Sequence, residues 1–342
     1  MEYEPEKEVM NKIFLTVDVE CHNLKQKNMY IDGKIGDTSW GLSRILEVGK
    51  EKNIPINFFV DVVECHKYGD EYINEIIDLI HSYGQKTYLH IHPDFLDMGG
   101  YHYFWEYSKG LQQDIIRQSI IDFKRLVGYF PKAIRTGGYC NNQDYYDALG
   151  EVSGENMIDV SHCVNYRNSL YSAPTINKIH SNGKVKVLPN TRFLCFKFLH
   201  HIKHANLDIM SANMNEMKRV LKHQELSYMT CTMHSWTLLK HFFYKPKTLR
   251  PDRHNYYKMQ EFIDLAKSMG WVFSNFEESL TIQGGDSNID LCETLRGKIL
   301  GVINSFFRMQ RAARVNKKYF MVYAIFYLVM ILCIIVLTAC LL

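Results

Sequence analysis

No two of the nine cysteines have C-x-x-C spacing, and their total is odd. That disfavours a disulfide framework or a zinc knuckle and fits reduced thiols in a cytosol. Proline is scarce, at 8 in 342 residues, and 23% of the residues are charged. Together these argue against long disorder. The sequence has no internal repeat and no low-complexity segment. Its opening stretch, residues 1–8, is acidic and lacks an apolar h-region, so no signal peptide is expected. Acidic residues are missing after Glu293, where seven basic ones stand: Arg296, Lys298, Arg308, Arg311, Arg314, Lys317 and Lys318. Setting those seven aside from the 40 basic residues leaves 33 against 37 acidic ones, a net −4 beneath the overall +3. A mildly acidic globular part gives no support to nucleic-acid binding, and no nucleic-acid partner is expected.

What is present is substantial. A 46% hydrophobic content over 342 residues suffices for one large domain with a full core, or two smaller ones. The last 24 residues, Tyr319–Leu342, carry no charge. At a helical rise of ~1.5 Å they would cover about 36 Å, enough for a hydrocarbon core of ~30 Å. With the basic cluster just before it, this segment reads as a single transmembrane anchor with the bilayer as partner, and the positive-inside rule places residues 1–318 on the cytoplasmic side. Gln283–Asn288 is the natural domain boundary. The expected organisation is an N-terminal tail (1–11), a main domain (12–282), a linker and basic amphipathic helix (283–318) and the anchor (319–342). In that helix Leu295, Ile299, Val302, Ile303 and Phe306 recur at helical spacing. It is either an interfacial helix or one packed on the domain.

Strand-like and helix-like segments alternate along the main domain. Strands are expected at Ile13–Val19, Ile56–Val60, Lys86–His92, Ala133–Arg135, Met157–Val160, Leu226–Met233 and Trp271–Ser274. Helices are expected at Ser39–Lys52, Glu71–Tyr83, Leu111–Val127, Ser211–His223 and Tyr256–Met269. Lys184–Leu188 and Arg192–Phe198 suggest a hairpin around Pro189-Asn190. Such alternation indicates a parallel α/β architecture. A barrel is preferred to an open doubly wound sheet, because polar signatures follow at least four strands and barrels gather functional residues at strand C-terminal ends.

Those signatures are Asp18-Val19-Glu20, His90-Ile91-His92-Pro93, Arg135-Thr136-Gly137-Gly138 and Met233-His234-Ser235-Trp236. Asp18 and Glu20 stand two apart on a strand and face one way. They suit a metal ligand plus a general base, or else a solvated strand end. His90 and His92 share one face and could reach one cation, zinc accepting both nitrogen and carboxylate oxygen, or they are structural histidines. Arg135 could hold a carboxylate bidentately. His234 could act as a general acid, with Asp159 orienting it. His200, His201 and His204 form a rival cluster, with His200 and His204 at helical i, i+4 spacing; they lack the glutamate of an H-E-x-x-H motif. Tyr103 and Trp105, in a densely aromatic loop, and Trp236 offer faces for a sugar or for core packing.

In this order the signatures resemble the polysaccharide deacetylases, the NodB-homology group or carbohydrate esterase family four, over about Lys12–Leu280. Asn57-Phe58-Phe59-Val60 is similar to the family's T-F-F-V strand, and Arg135-Thr136-Gly137-Gly138-Tyr139 to its arginine motif. The resemblance implies a deformed (β/α) barrel, a divalent metal, usually zinc, and hydrolysis of an N-acyl amide on an amino sugar. By that resemblance Asp18 is the base, His90 and His92 bind the metal, Arg135 orients Asp18, and His234 protonates the leaving amine. Tyr103, Trp105, Tyr139 and Trp236 would then contact substrate. The family's first motif has adjacent aspartates and its histidines stand four apart. Here Val19 replaces the second aspartate and the histidines are two apart, so either Glu20 or Asp18 is the carboxylate ligand. The expectation is a membrane-anchored, metal-dependent sugar N-deacetylase serving surface-polysaccharide biosynthesis. A non-sugar amidohydrolase and an inactive carbohydrate-binding scaffold are the alternatives.

Overall fold

The computed structural model describes residues 11–154, 157–172, 176–242, 245–276 and 288–315, together with Met321, Ala324, Ile325 and Leu328. Nine strands form the main sheet: β1 (Lys12–Val19), β2 (Asn57–Asp61), β3 (Lys86–Ile91), β4 (Ala133–Thr136), β5 (Ile158–Asp159), β6 (His180–Asn182), β7 (Val185–Val187), β8 (Tyr228–His234) and β9 (Val272–Phe273). Their order is β8-β1-β2-β3-β4-β5-β7-β6, with β9 pairing the start of β1. Every pairing is parallel except the β6–β7 hairpin.

Period-two alternation sorts the strand residues onto two faces. Ile13, Leu15, Val17 and Val19 of β1, Phe58 and Val60 of β2, Leu89 and Ile91 of β3, and Met229, Cys231 and Met233 of β8 are buried in one cluster with apolar side chains of the helices. Those helices include α1 (Leu42–Glu51), α2 (Asp70–Ser82), α3 (Lys109–Val127) and α4 (Gln143–Ser153). Helix α3 shows how sequence sets its bounds. The Ser108 side chain accepts from the Leu111 amide at its start, and Gly128, at φ 89°, ends it in the left-handed region.

The opposite face contributes Phe14, Phe59, Tyr88, Ala133, Ile158, Leu188 and Tyr228, which meet one another and Phe276 in a second buried cluster. Residues from six of the nine strands converging on one point mean that the sheet is curled around them. The ladder itself stays open beyond β8. There Thr191 and Thr230 exchange two amide-to-Oγ1 hydrogen bonds (2.8 and 2.9 Å), and the Tyr228 hydroxyl donates to Pro189 O at 3.1 Å. The domain is an α/β incomplete barrel whose remaining gap is bridged by these side chains and by main-chain bonds from Leu207 and Ile209 to Thr191 and Thr232.

Three expectations are corrected. Arg192–Phe198 does not pair with the segment 184–188. It forms an antiparallel hairpin with His201–Asn206, turning at Leu199-His200 with Leu199 at φ 50°. This places His201 and His204 on a strand and His200 in its turn, so the i, i+4 helical pair does not exist. The transmembrane helix is the third correction. No helix among the described residues is long and apolar enough to cross a membrane, so neither the single C-terminal span nor the cytoplasmic-side placement that rested on it is supported. Most of the expected anchor 319–342, the tail 1–10 and most of the boundary segment 283–288 lie outside the described residues.

The last described helix, α5 (Leu295–Val315), packs on the domain. Asn304 and Arg308 bond Glu216, while Leu295, Ile299, Val302, Ile303 and Phe307 are exposed.

Two stability predictions follow from this packing. Phe14 stacks on Phe276 with ring centroids 4.7 Å apart. Phe14→Ala should cost about 3–5 kcal/mol in denaturant unfolding, as for a fully buried aromatic; a loss well below that would mean the barrel interior is not packed as a core. His162 is buried, and burial, followed by the charges of His180 and Arg192, lowers its pKa to about 3. Between pH 6.5 and 3 the unfolded chain therefore takes up a proton that the folded chain refuses. Stability falls as pH drops through that window, by up to about 1.4 kcal/mol per pH unit. Unfolding curves of His162→Gln should be flatter over this range than wild type.

Candidate active site

The polar residues on the inner face sit at the C-terminal strand ends, above the apolar cluster. Asp18 and Glu20 follow Phe14 and Thr16 along β1, and His90 and His92 follow Tyr88 along β3. Arg135 follows Ala133 on β4, and His234 closes β8. Asp18, Glu20, His90, His92 and Arg135 are all buried.

The two carboxylates have separate partners. Glu20 Oε2 lies 3.0 Å from His90 Nε2 and 2.5 Å from His92 Nε2. Its Oε1 faces His22 Nε2 at 3.6 Å and His234 Nε2 at 3.9 Å. Asp18 Oδ1 instead accepts from Arg135 Nη1 at 2.6 Å. The guanidinium lies 4.4 Å from the Phe59 ring centroid and donates from Nε to Val160 O at 3.4 Å.

Burial alone would push the Glu20 carboxyl up, but His92, His22 and His90 outweigh it and hold it well below the usual range. Burial lowers His92, against the opposing pull of Glu20. An ionised carboxylate beside a neutral imidazole is the state a cation needs. His22 is raised, first by its bond to Glu20.

Glu20, His90 and His92 thus bring three donor atoms within 4.8 Å of one another. One oxygen and two imidazole nitrogens match a zinc-type donor set. Cys65, His66 and Asp122 also converge. There, however, Arg125 donates to Asp122 Oδ1 at 3.1 Å and to Cys65 Sγ at 3.6 Å, putting positive charge where a cation would sit.

Asp159 does not orient His234. Its oxygens accept from Tyr145 and Tyr146 (both 2.8 Å) and from the Ser161 hydroxyl (2.6 Å), so it is a buried structural hub at the end of β5. The His234 ring is held by stacking on Trp236, with centroids 4.5 Å apart, and Trp236 meets Tyr30 edge-on at 5.0 Å. On the other side His92 meets His102 at 5.5 Å, His102 meets Tyr103 at 4.8 Å, and Tyr103 stacks on Trp105 at 5.2 Å. Trp236 and the Tyr103–Trp105 pair therefore flank the histidines. Tyr139, at φ 57°, sits 5.9 Å from the Arg135 guanidinium.

Sequence reasoning missed His22 and Asp61. Each lies one further step of the same alternation, after Asp18-Glu20 and after Asn57-Phe59. Neither Asp61 oxygen has a hydrogen-bond partner among the described residues, and burial, then Glu64 and Glu20, pushes this carboxyl well above the usual range.

No family model and no curated protein matches the chain. Among solved structures 51 chains do. One is a candidate polysaccharide deacetylase from Mycobacterium smegmatis, at 17% identity and TM-score 0.48, covering 77% of this chain and 86% of that one. Another is a family 4 carbohydrate esterase from Streptomyces lividans in complex with acetate, at 10% identity and TM-score 0.42, covering 82% and 98%. A third is a family 4 pseudoenzyme from Bacillus anthracis, at 10% identity and TM-score 0.43, covering 79% and 65%. At such low similarity the functional reading rests on the site geometry.

Gly137 supplies the room for His92. A Cβ built there would lie 2.2 Å from His92 Cε1 and 2.4 Å from both ring nitrogens. Gly137→Ala should therefore displace the imidazole and abolish stoichiometric metal binding in the full chain, measured by metal analysis after reconstitution. Full retention of bound metal would refute this seating.

Proposed function

We propose that the chain is a metal-dependent hydrolase that removes an N-acyl group, acetyl or formyl, from an amino sugar. The observation that carries this reading is the division of labour between Asp18 and Glu20. One carboxylate is committed to Arg135, the other to two imidazoles. That favours Glu20 as the ligand with His90 and His92, and Asp18 as the base. Zinc is the ion best suited to this donor set. Such an ion supplies an acidified water and positive charge against the acyl oxygen.

The chain's own residues do the rest. Arg135 fixes Asp18 Oδ1, so the second oxygen can take a proton. His234 pairs with Asp18 in the β8–β1 register, and its side chain is 35% exposed, against 7% for Asp18. It can reach a leaving amine at the mouth while the base stays dry. The flanking aromatic faces offer apolar platforms for sugar rings. A role in surface-polysaccharide biosynthesis rested partly on the anchor and is not carried further.

The test pairs metal content with release of acetate or formate from N-acylated amino-sugar oligosaccharides, using the full chain. His90→Ala and His92→Ala should lose both metal and activity. Asp18→Asn should keep the metal and lose about 10²–10⁴-fold in kcat, the usual weight of a general base. If Asp18→Asn loses the ion while Glu20→Gln keeps it, the two roles are exchanged. A wild-type chain that binds no metal after reconstitution would sink the hydrolase reading.

A further inference from the structure

We propose that Asp94 is a positioning residue that holds His92 from behind, resting on the reading of His92 as a metal ligand. His92 directs Nε2 at Glu20, whereas its Nδ1 is buried without a hydrogen-bond partner among the described residues. A buried, unpaired ring nitrogen is costly, and metal-bound histidines commonly donate this second N–H to a carboxylate.

The acceptor within reach is two residues on. Pro93 starts a single tight turn, Pro93–Phe95, in which the Phe95 amide bonds back to His92 O at 3.3 Å. The turn folds the Asp94 side chain beneath its own neighbour. Asp94 Oδ1 stands 4.0 Å from His92 Nδ1, and Oδ2 stands 3.4 Å from His102 Nδ1. Asp94 is partly exposed, with its side chain 33% accessible, so it can swing without repacking the core.

The opposite edge of the ring explains why the gap should close. His92 Nε2 and Glu20 Oε2 are 2.5 Å apart. Two ligands of one tetrahedral zinc, each about 2.0–2.2 Å from the ion, stand roughly 3.3 Å or more from each other. A cation seated between them would part this pair, and a ring shifted away from Glu20 would have Asp94 on hand to accept from Nδ1.

The test uses the full chain as wild type, Asp94→Ala, Asp94→Asn and Asp94→Glu. Zn(II) affinity is read by chelator competition, ligand geometry by the visible spectrum of the Co(II)-loaded chain, and folding by the melting temperature of the metal-free chain. Asp94→Ala and Asp94→Asn should weaken Zn(II) binding about 10–100-fold, the usual effect of losing an outer-shell partner. They should also alter the Co(II) spectrum and leave the metal-free melting temperature in place, and Asp94→Glu should restore part of the affinity. Unchanged affinity and spectrum in the variants, with wild type binding metal, would overturn this role and leave the ligand assignment standing. Affinity loss that tracks a lower metal-free melting temperature would overturn it in favour of a structural role. A wild-type chain that binds neither ion would overturn the ligand assignment and this role together.

Discussion

Two carboxylates that share one face of a buried strand repel each other, and the site is arranged around keeping both. Asp18 and Glu20 are each buried, so water offers little screening, and each needs a cationic or donor partner of its own. The partners come from different strands: Arg135 from β4 for Asp18, and His90 and His92 from β3 and its end for Glu20. In a flat sheet β4 would lie three strand spacings from β1, about 14 Å, and β3 two spacings, about 10 Å. The Arg135–Asp18 bond of 2.6 Å is therefore possible only because the sheet is curled. Curvature and site depend on one another.

The apolar plug makes that curvature stable and the site dry. Phe14, Phe59, Tyr88 and Tyr228 fill the interior directly below the polar layer. Phe59 serves both layers, since its ring faces the plug and also supports the Arg135 guanidinium. A low-dielectric floor strengthens each polar contact above it and penalises any that is left unmade. This accounts for the strong asymmetry around Glu20. Its carboxylate bonds two imidazoles and has two more within 4 Å, whereas neither Asp61 oxygen, one strand over, has a hydrogen-bond partner among the described residues, and burial pushes that carboxyl well above the usual range.

What could be read in the sequence was what period two encodes. The positions of the main-sheet strands other than β6, the pairing of Asp18 with Glu20 and of His90 with His92 on one face, and the arrival of Arg135 and His234 at strand ends all follow from alternation and apolar runs. What could not be read depends on where strands lie relative to one another. Residue type alone pairs Asp159 with His234, but Tyr145 and Tyr146 of the preceding helix α4 occupy it. The hairpin from Arg192 was assigned to the wrong partner, because β7 was already occupied by β5 and β6. The role of Gly137 is a matter of empty space and leaves no trace in spacing. The C-terminal helix departs differently: it meets the domain through polar bonds to Glu216 and presents Ile299, Val302 and Ile303 outward, so its apolar periodicity did not report the face that packs.

The two departures from the motif pattern of the family that the sequence resembles are one geometric adjustment. An acid at position 19, the place of the family's second aspartate, would point away from the site. Val19 faces outward into the helix-packed core and is 1% exposed. A carboxylate on the inner face must then come one residue later, which is Glu20, and its longer side chain reaches back toward β3. The same step applies to the histidines. Four residues beyond His90 lies Asp94, already in the turn that follows Pro93, so the second imidazole is supplied two residues on, at the end of the strand. D-x-E and H-x-H are both period-two spacings. In this chain the proposed ligands are placed on strands and at their ends, and the carboxylate behind His92 follows in the turn that begins at Pro93.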